Sequence, residues 1–137
     1  MLNLKVDYIY HLADLHIRNL KRHKEYREIL NKFLVDVDSQ KKENAVIYLA
    51  GDIAHAKTEM SPELVREITW FFNECANRFP TFVITGNHDC NLNNMDRLDV
   101  LTPICDNLNN PNLYYLRDTG TTHINDELTF TVYSILD

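Results

Sequence analysis

The chain is predicted to be α/β, with the start of a second β layer: its 137 residues alternate strand-like and helix-like stretches three times, then end in strands joined by turns. Two observations carry this reading. Apolar residues between the first strand-like runs recur at i, i+3, i+4 and i+7, the period of a helix packed on one face. Strands separated by such helices pair in parallel through right-handed crossovers, which gives a βαβαβα order. A third observation concerns the end of the chain, where hairpin chemistry suggests a sheet turning antiparallel or beginning a second layer.

The elements follow in order. Lys5 to Leu12 is β-rich and apolar enough for a buried first strand, and it runs directly into Ala13-Asp14-Leu15-His16. A helix is predicted from about Arg22 to Val37, because Tyr26, Ile29, Leu30, Phe33, Leu34 and Val37 share one face. Ala45 to Ala50 is a continuous apolar run, as in a strand buried on both faces. Ser61-Pro62-Glu63 reads as a helix start: a capping hydroxyl, a proline at the first helical position and an acid in the first turn. That helix carries Leu64, Val65, Ile68, Phe71, Phe72 and Cys75 and stops near Pro80. Trp70, Phe71 and Phe72 cannot all face one side, so Trp70 is expected at an interface. Phe82 to Thr85 is the third strand. Leu98, Leu101, Ile104 and Leu108 then stand at helical spacing, interrupted by Pro103. Leu113 to Arg117 reads as a strand, Asn125-Asp126 as a turn, and Leu128 to Leu136 alternates like a half-buried strand.

Composition excludes several classes. A hydrophobic content of 45% is globular, no basic-then-apolar leader opens the chain, and runs such as AVIYLA are too short to span a bilayer. Cys75, Cys90 and Cys105 form no C-x-x-C pair, which predicts free thiols in a reducing intracellular compartment, cytoplasm or nucleus. A net charge of -6 argues against gripping nucleic acid over the whole surface, and suits a chain whose carboxylates hold cations.

In an open α/β sheet, ligands bind outside the carboxyl ends of the strands. The first strand delivers Asp14 and His16 there, the second Gly51-Asp52, the third Gly86-Asn87-His88-Asp89. Acids and imidazoles gathered along one edge require a cation between them. Carboxylate, imidazole and amide oxygen together favour Mn²⁺, Fe²⁺ or Zn²⁺, with no thiolate set on offer. On a strand end, Asp14 and His16 project the same way and reach one ion. A central carboxylate can bridge two ions about 3.5–4 Å apart. Gly51 and Gly86 are expected to turn the backbone so that Asp52 and Asn87 point into the crevice.

Asp-x-His, Gly-Asp and Gly-Asn-His-Asp at these separations resemble the calcineurin-like metallophosphoesterase family. The stretches YHLADLHI, GDIAHAK…SPE and VITGNHDCN are most similar to its SbcD-type nucleases of double-strand-break repair. The resemblance implies a β-sandwich flanked by helices, with two divalent metals, Mn²⁺ first among them and Fe²⁺, Zn²⁺ or Mg²⁺ as alternatives. It implies Asp14 and His16 as ligands of the first metal, Asp52 as the bridge and Asn87 as a ligand of the second. His88 becomes the non-ligand histidine that protonates the leaving group or stabilises the transition state, Asp89 its orienting partner, and His55 a second histidine beside the DNA path. The activity implied is metal-dependent phosphodiester hydrolysis on DNA. The partners implied are DNA, an SbcC-type SMC-like ATPase and a second copy of the chain, through the Ser61 helix and the Met95–Leu108 region. The same family includes nucleotide phosphodiesterases, phosphoprotein phosphatases and non-catalytic scaffolds, which are the rival readings.

The family completes its site with later histidines, including a Gly-His-x-His. Nothing of that kind follows Asp89, and His123 lies in a Thr-rich hairpin region. Residues 1–137 are therefore expected to be the N-terminal part of a catalytic domain, weak or inactive without the ligand-bearing remainder. Arg18, Lys21, Arg22, Lys24 and Arg27 follow the Asp-x-His turn directly. Cations there oppose the macrodipole of the coming helix, so a strip that contacts phosphate is the functional expectation.

Overall fold

The computed structural model describes residues 1–55 and 59–137. A parallel sheet in the order β1 (Tyr8–Leu12), β2 (Ala45–Ala50), β3 (Thr81–Ile84), β4 (Leu113–Tyr115) forms the centre. The registers pair Leu12 with Leu49 and Ala50 with Ile84, so the first three strands end level with one another. The connections are α1 (His23–Ser39), α2 (Pro62–Ala76) and α3 (Leu101–Leu108). Sequential order with crossovers of one hand places these helices on the same face of the sheet.

Side-chain alternation shows the layering. Ile47, Leu49 and Val83 join the core made by Leu30 and Leu34 of α1, Leu64, Ile68, Phe71 and Phe72 of α2, and Leu101 and Ile104 of α3. Their neighbours Val46 and Phe82 face the opposite way, against Ile124, Phe130, Leu2 and Leu4. That second face is covered by an antiparallel pair, β5 (Gly120–His123) and β6 (Thr129–Val132). The N–H groups of Leu2 and Leu4 donate to the carbonyls of His123 and Ile124 at 3.0 and 3.1 Å, which ties the start of the chain to this layer.

Four expectations need correcting. Leu113–Tyr115 does not turn antiparallel; it pairs with Thr81–Val83 as a fourth parallel strand, because α3 returns the chain to the same end of the sheet. Pro103 does not interrupt a helix. It is the third residue of α3, where its missing N–H would have no intrahelical acceptor. The first strand is not buried: β1 is the edge of the sheet, and Tyr8 and Ile9 are exposed. Trp70 is half-buried, with the Arg27 guanidinium 3.7 Å from its ring centre, a cation–π contact within the chain. Ser61 behaves as read: its Oγ accepts the Leu64 N–H at 3.1 Å, and Pro62 follows at the first helical position.

Ser61→Ala should therefore cost about 1 kcal/mol. A urea titration should show it as a lower midpoint with an unchanged slope; an unshifted midpoint would remove the cap from the account.

Candidate metal centre

Beyond the level ends of β1, β2 and β3 the chain leaves regular structure and the three loops zip together. The Asp14 N–H donates to the Gly51 carbonyl at 3.2 Å, His16 N–H to Asp52 at 2.9 Å and Ile17 N–H to Ile53 at 2.9 Å. Asp14, His16 and Asp52 all take left-handed backbone, at φ 56°, 47° and 52°. Asp, Asn and His tolerate that region best, but it still costs about 1 kcal/mol or more per residue. The shared aim of Asp14 and His16 thus comes from paired left-handed turns, not from strand alternation, which ends at Leu12.

The result is a compact donor set. His16 Nε2 lies 3.5 Å from Asp14 Oδ1 and 3.7 Å from Asp52 Oδ2. One donor atom each from Asp14, His16 and Asp52 lies within 4.8 Å of the others. Two atoms bound to one ion at about 2.1 Å can stand at most about 4.2 Å apart, so the two short separations fit a shared cation. Asp52 divides its oxygens: Oδ1 accepts the His88 backbone N–H at 2.8 Å, while Oδ2 faces His16.

His16, His55 and His88 form a second group within the same 4.8 Å limit. The rings of His55 and His88 stack at 5.2 Å and both meet His16 edge-on. His16 Nδ1 lies 3.4 Å from His55 Nδ1, so one of these nitrogens must carry the proton. A His16 that binds metal through Nε2 would donate from Nδ1, which makes His55 the group that fixes its tautomer.

The two glycines are required by close approach. A Cβ on Gly86 would stand 2.2 Å from both the N and Oδ1 of Asp52; a Cβ on Gly51 would stand 2.7 Å from the Gly86 N. Gly51 also needs its left-handed φ of 80°. Gly86 opens a turn, as expected from sequence, its carbonyl accepting the Asp89 N–H at 3.1 Å, and it also lets the third loop lie against the Asp52 backbone.

Asp89 differs from expectation. It is fully buried and accepts N–H groups from Ile53, Ala54 and Gly86 at 3.3, 2.8 and 2.9 Å. Burial pushes its carboxyl up to about 6, against the pull of those N–H groups toward the ionised form. Among the described residues neither oxygen bonds the His88 ring; His88 Nδ1 instead lies 3.4 Å from the His55 carbonyl. Asp89 is a staple between the second and third loops, and the contact to the imidazole comes from His55. Asn87 is half-buried between Gly86 and His88, whose backbones Asp89 and Asp52 hold.

The basic strip separates into parts. Arg18 and Lys21, with Asn19 and His55, line an open cleft of about 340 Å³. Lys24 is exposed. Arg22 bonds Glu25 through Nε at 2.7 Å. Arg27 bonds the buried Glu67 at 2.8 Å and covers Trp70, so it serves the junction of α1 and α2.

Several supporting residues escaped the sequence reading. Tyr26 donates its hydroxyl to the His16 carbonyl at 2.8 Å. The Asn19 amide donates to the Glu59 carbonyl at 2.8 Å and accepts the Ser61 N–H at 2.9 Å, tying the first loop to the entry of α2. Glu67 left a usable signal. It falls on the stripe of Leu64, Ile68 and Phe71, where a buried acid demands a partner.

Comparison with known proteins adds two findings. The profile of the calcineurin-like phosphoesterase family matches residues 8–135. An uncharacterized protein of Acanthamoeba polyphaga mimivirus is 45% identical over 118 residues, covering 85% of this chain. The chain spans 9% of that relative's length.

Asp89→Ala should destabilise the protein by about 3 kcal/mol or more, since each buried N–H left unpaired costs about 1–3 kcal/mol. Gly86→Ala should separate the second and third loops and weaken Mn²⁺ binding. Denaturation and a Mn²⁺ titration read the two effects; an Asp89→Ala change within about 0.5 kcal/mol of zero, the range of an ordinary surface substitution, would contradict the staple.

Proposed function

The chain belongs to the calcineurin-like phosphoesterase family, and from that premise we propose that it supplies the first half of a metal-dependent phosphodiesterase site that acts on DNA. The carrying observation is the convergence of Asp14, His16 and Asp52 donor atoms beside His88, at one end of a parallel sheet. Hydrolysis of phosphoesters is the chemistry of the family; DNA as the substrate is the finer reading.

Each residue has a task on this reading. Asp14 and His16 would hold one divalent cation together with Asp52, and Asn87 would serve a second. The bound metals, Mn²⁺ first among them, supply Lewis acidity to a phosphoryl oxygen and bring the pKa of water toward neutrality. His88 delivers a proton to the departing sugar oxygen. Its Nδ1–H faces the His55 carbonyl at 3.4 Å, which leaves Nε2 to carry the transferred proton. The Asp52–His88 N–H bond couples the position of that imidazole to the metal-holding carboxylate.

The cleft formed by Arg18, Lys21 and His55 supports a polyanionic substrate. It adjoins the donor set, because the His55 ring stacks on His88 and contacts His16. In a chain of net charge -6, cations placed there mark where a phosphodiester backbone is tolerated.

The test is a substrate panel on the intact protein with Mn²⁺: single-stranded DNA, duplex DNA, a small phosphodiester and a phosphopeptide. DNA should be cleaved, chelation should abolish cleavage, and His88→Ala should lower turnover by about 10²–10⁴-fold with metal stoichiometry unchanged. Replacing Arg18 and Lys21 together with Ala should reduce the slope of log affinity against log salt by about 1–2. Replacing Arg22 and Arg27, which are held by Glu25 and Glu67, should leave that slope unchanged. Preference for the phosphopeptide, or an equal slope in both double variants, would overturn the DNA reading.

A further inference from the structure

Behind the loop that carries Asn87 and His88 lies a hydrogen-bond chain for which the chemistry above has no use. The Tyr115 hydroxyl on β4 stands 2.5 Å from Thr85 Oγ1 and donates to Asp99 Oδ1 at 2.7 Å. Asp99 is almost wholly buried. It also accepts the N–H groups of Leu101 and Thr102 at 3.0 and 2.9 Å and the Thr102 hydroxyl at 2.5 Å, with Arg117 Nε 3.5 Å away. An ionised carboxylate only accepts, so Tyr115 gives its proton to Asp99 and its oxygen must take the proton of Thr85. The charge on Asp99 therefore orders the whole chain of donors: Thr85 to Tyr115 to Asp99.

Thr85 is the residue before Gly86. At the other end of the same loop, the Val100 N–H donates to the Asp89 carbonyl at 2.8 Å. Residues 99–100, at the start of α3, thus grip residues 85–89 at both ends, once directly and once through Tyr115. Asn87 and His88 stand between the two grips. Capping α3 does not require Tyr115, because Asp99 already receives the Leu101 and Thr102 groups. The reach of the tyrosine toward Thr85 is what remains to be accounted for.

We propose that Tyr115, oriented by Asp99, is a positioning residue that fixes the loop presenting Asn87 and His88. The inference rests on the phosphodiesterase reading for the importance of those two residues, but the loop's dependence on Tyr115 can be measured without metal. Tyr115→Phe keeps the ring, which packs against the main core, and removes only the hydroxyl.

In ¹⁵N-labelled, metal-free protein, Tyr115→Phe should shift and broaden the amide signals of Gly86, Asn87 and His88, while those of α3 beyond Thr102, which do not bond Asp99, stay in place. Its Mn²⁺ affinity should fall by about 10-fold, as for other groups that orient metal ligands. Thr85→Val should reproduce both effects, and Thr85→Ser should restore the wild-type behaviour; these variants also serve if Tyr115→Phe fails to fold. A lower melting temperature with unmoved loop signals and unchanged Mn²⁺ affinity would overturn the proposal, since a merely structural hydroxyl would do only that. If the wild type binds no Mn²⁺, the metal reading fails, and the loop signals alone still decide the role of Tyr115.

Discussion

A fully buried carboxylate that accepts three backbone N–H groups holds the centre of this molecule together. Asp89 joins the loop after β2 to the loop after β3 at a place where glycine alone allows the two backbones to meet. Everything that could do chemistry depends on this junction. The Asp52 side chain is wedged against Gly86, its Oδ1 holds the His88 N–H, and its Oδ2 is thereby turned toward His16 and Asp14. Burying a carboxylate is costly, and its raised pKa records that cost. The three N–H groups offset it, and an equivalent neutral side chain could not accept all of them. The strained backbone at Asp14, His16 and Asp52 is tolerated for the same reason: the zipped loops over-determine it.

The fold was largely legible in the sequence because its signals are local. Helical periodicity, the Ser61-Pro62 start and the continuous run of Ala45 to Ala50 are each readable within a few residues, and each formed as read. That Asp14, His16 and Asp52 gather at one end of the sheet was legible from their residue types and their place after consecutive strands. Their geometry was not. The aim of Asp14 and His16 comes from left-handed turns that no spacing rule encodes. Gly86 opens a turn, as its place after a strand suggests, but its close approach to a residue 34 positions earlier is not readable locally. Asp89 stands beside His88 in the sequence, whereas two of its partners lie 35 and 36 residues away, and only Gly86 is near. Arg27 stands among other cations in the sequence, although the buried Glu67 claims it from 40 residues away. In each case a long-range partner decided the outcome.

The strip of basic residues shows how burial sorts charges that a sequence presents as equals. Arg27 and Arg22 are taken up by acids, while Arg18 and Lys21 face a cleft that also receives His55. His55 is in turn the link between chemistry and cleft. Its carbonyl meets the His88 ring, its imidazole meets His16, and its side chain helps form the cleft wall. Asn19 and Ile17 hold the two sides of this region, through the hydrogen bonds of the Asn19 amide with residues 59 and 61 and the bridge from Ile17 to Ala54.

The central claim is that three strand ends, held by Asp89, form one metal cradle centred on Asp52. Anomalous diffraction at the manganese edge, from crystals of the protein grown with Mn²⁺, tests it most directly. The account predicts a peak about 2.0–2.3 Å from the donor atoms of Asp14, His16 and Asp52, distances typical of divalent ions on such ligands. A peak elsewhere on the molecule, or none at millimolar Mn²⁺, would contradict it.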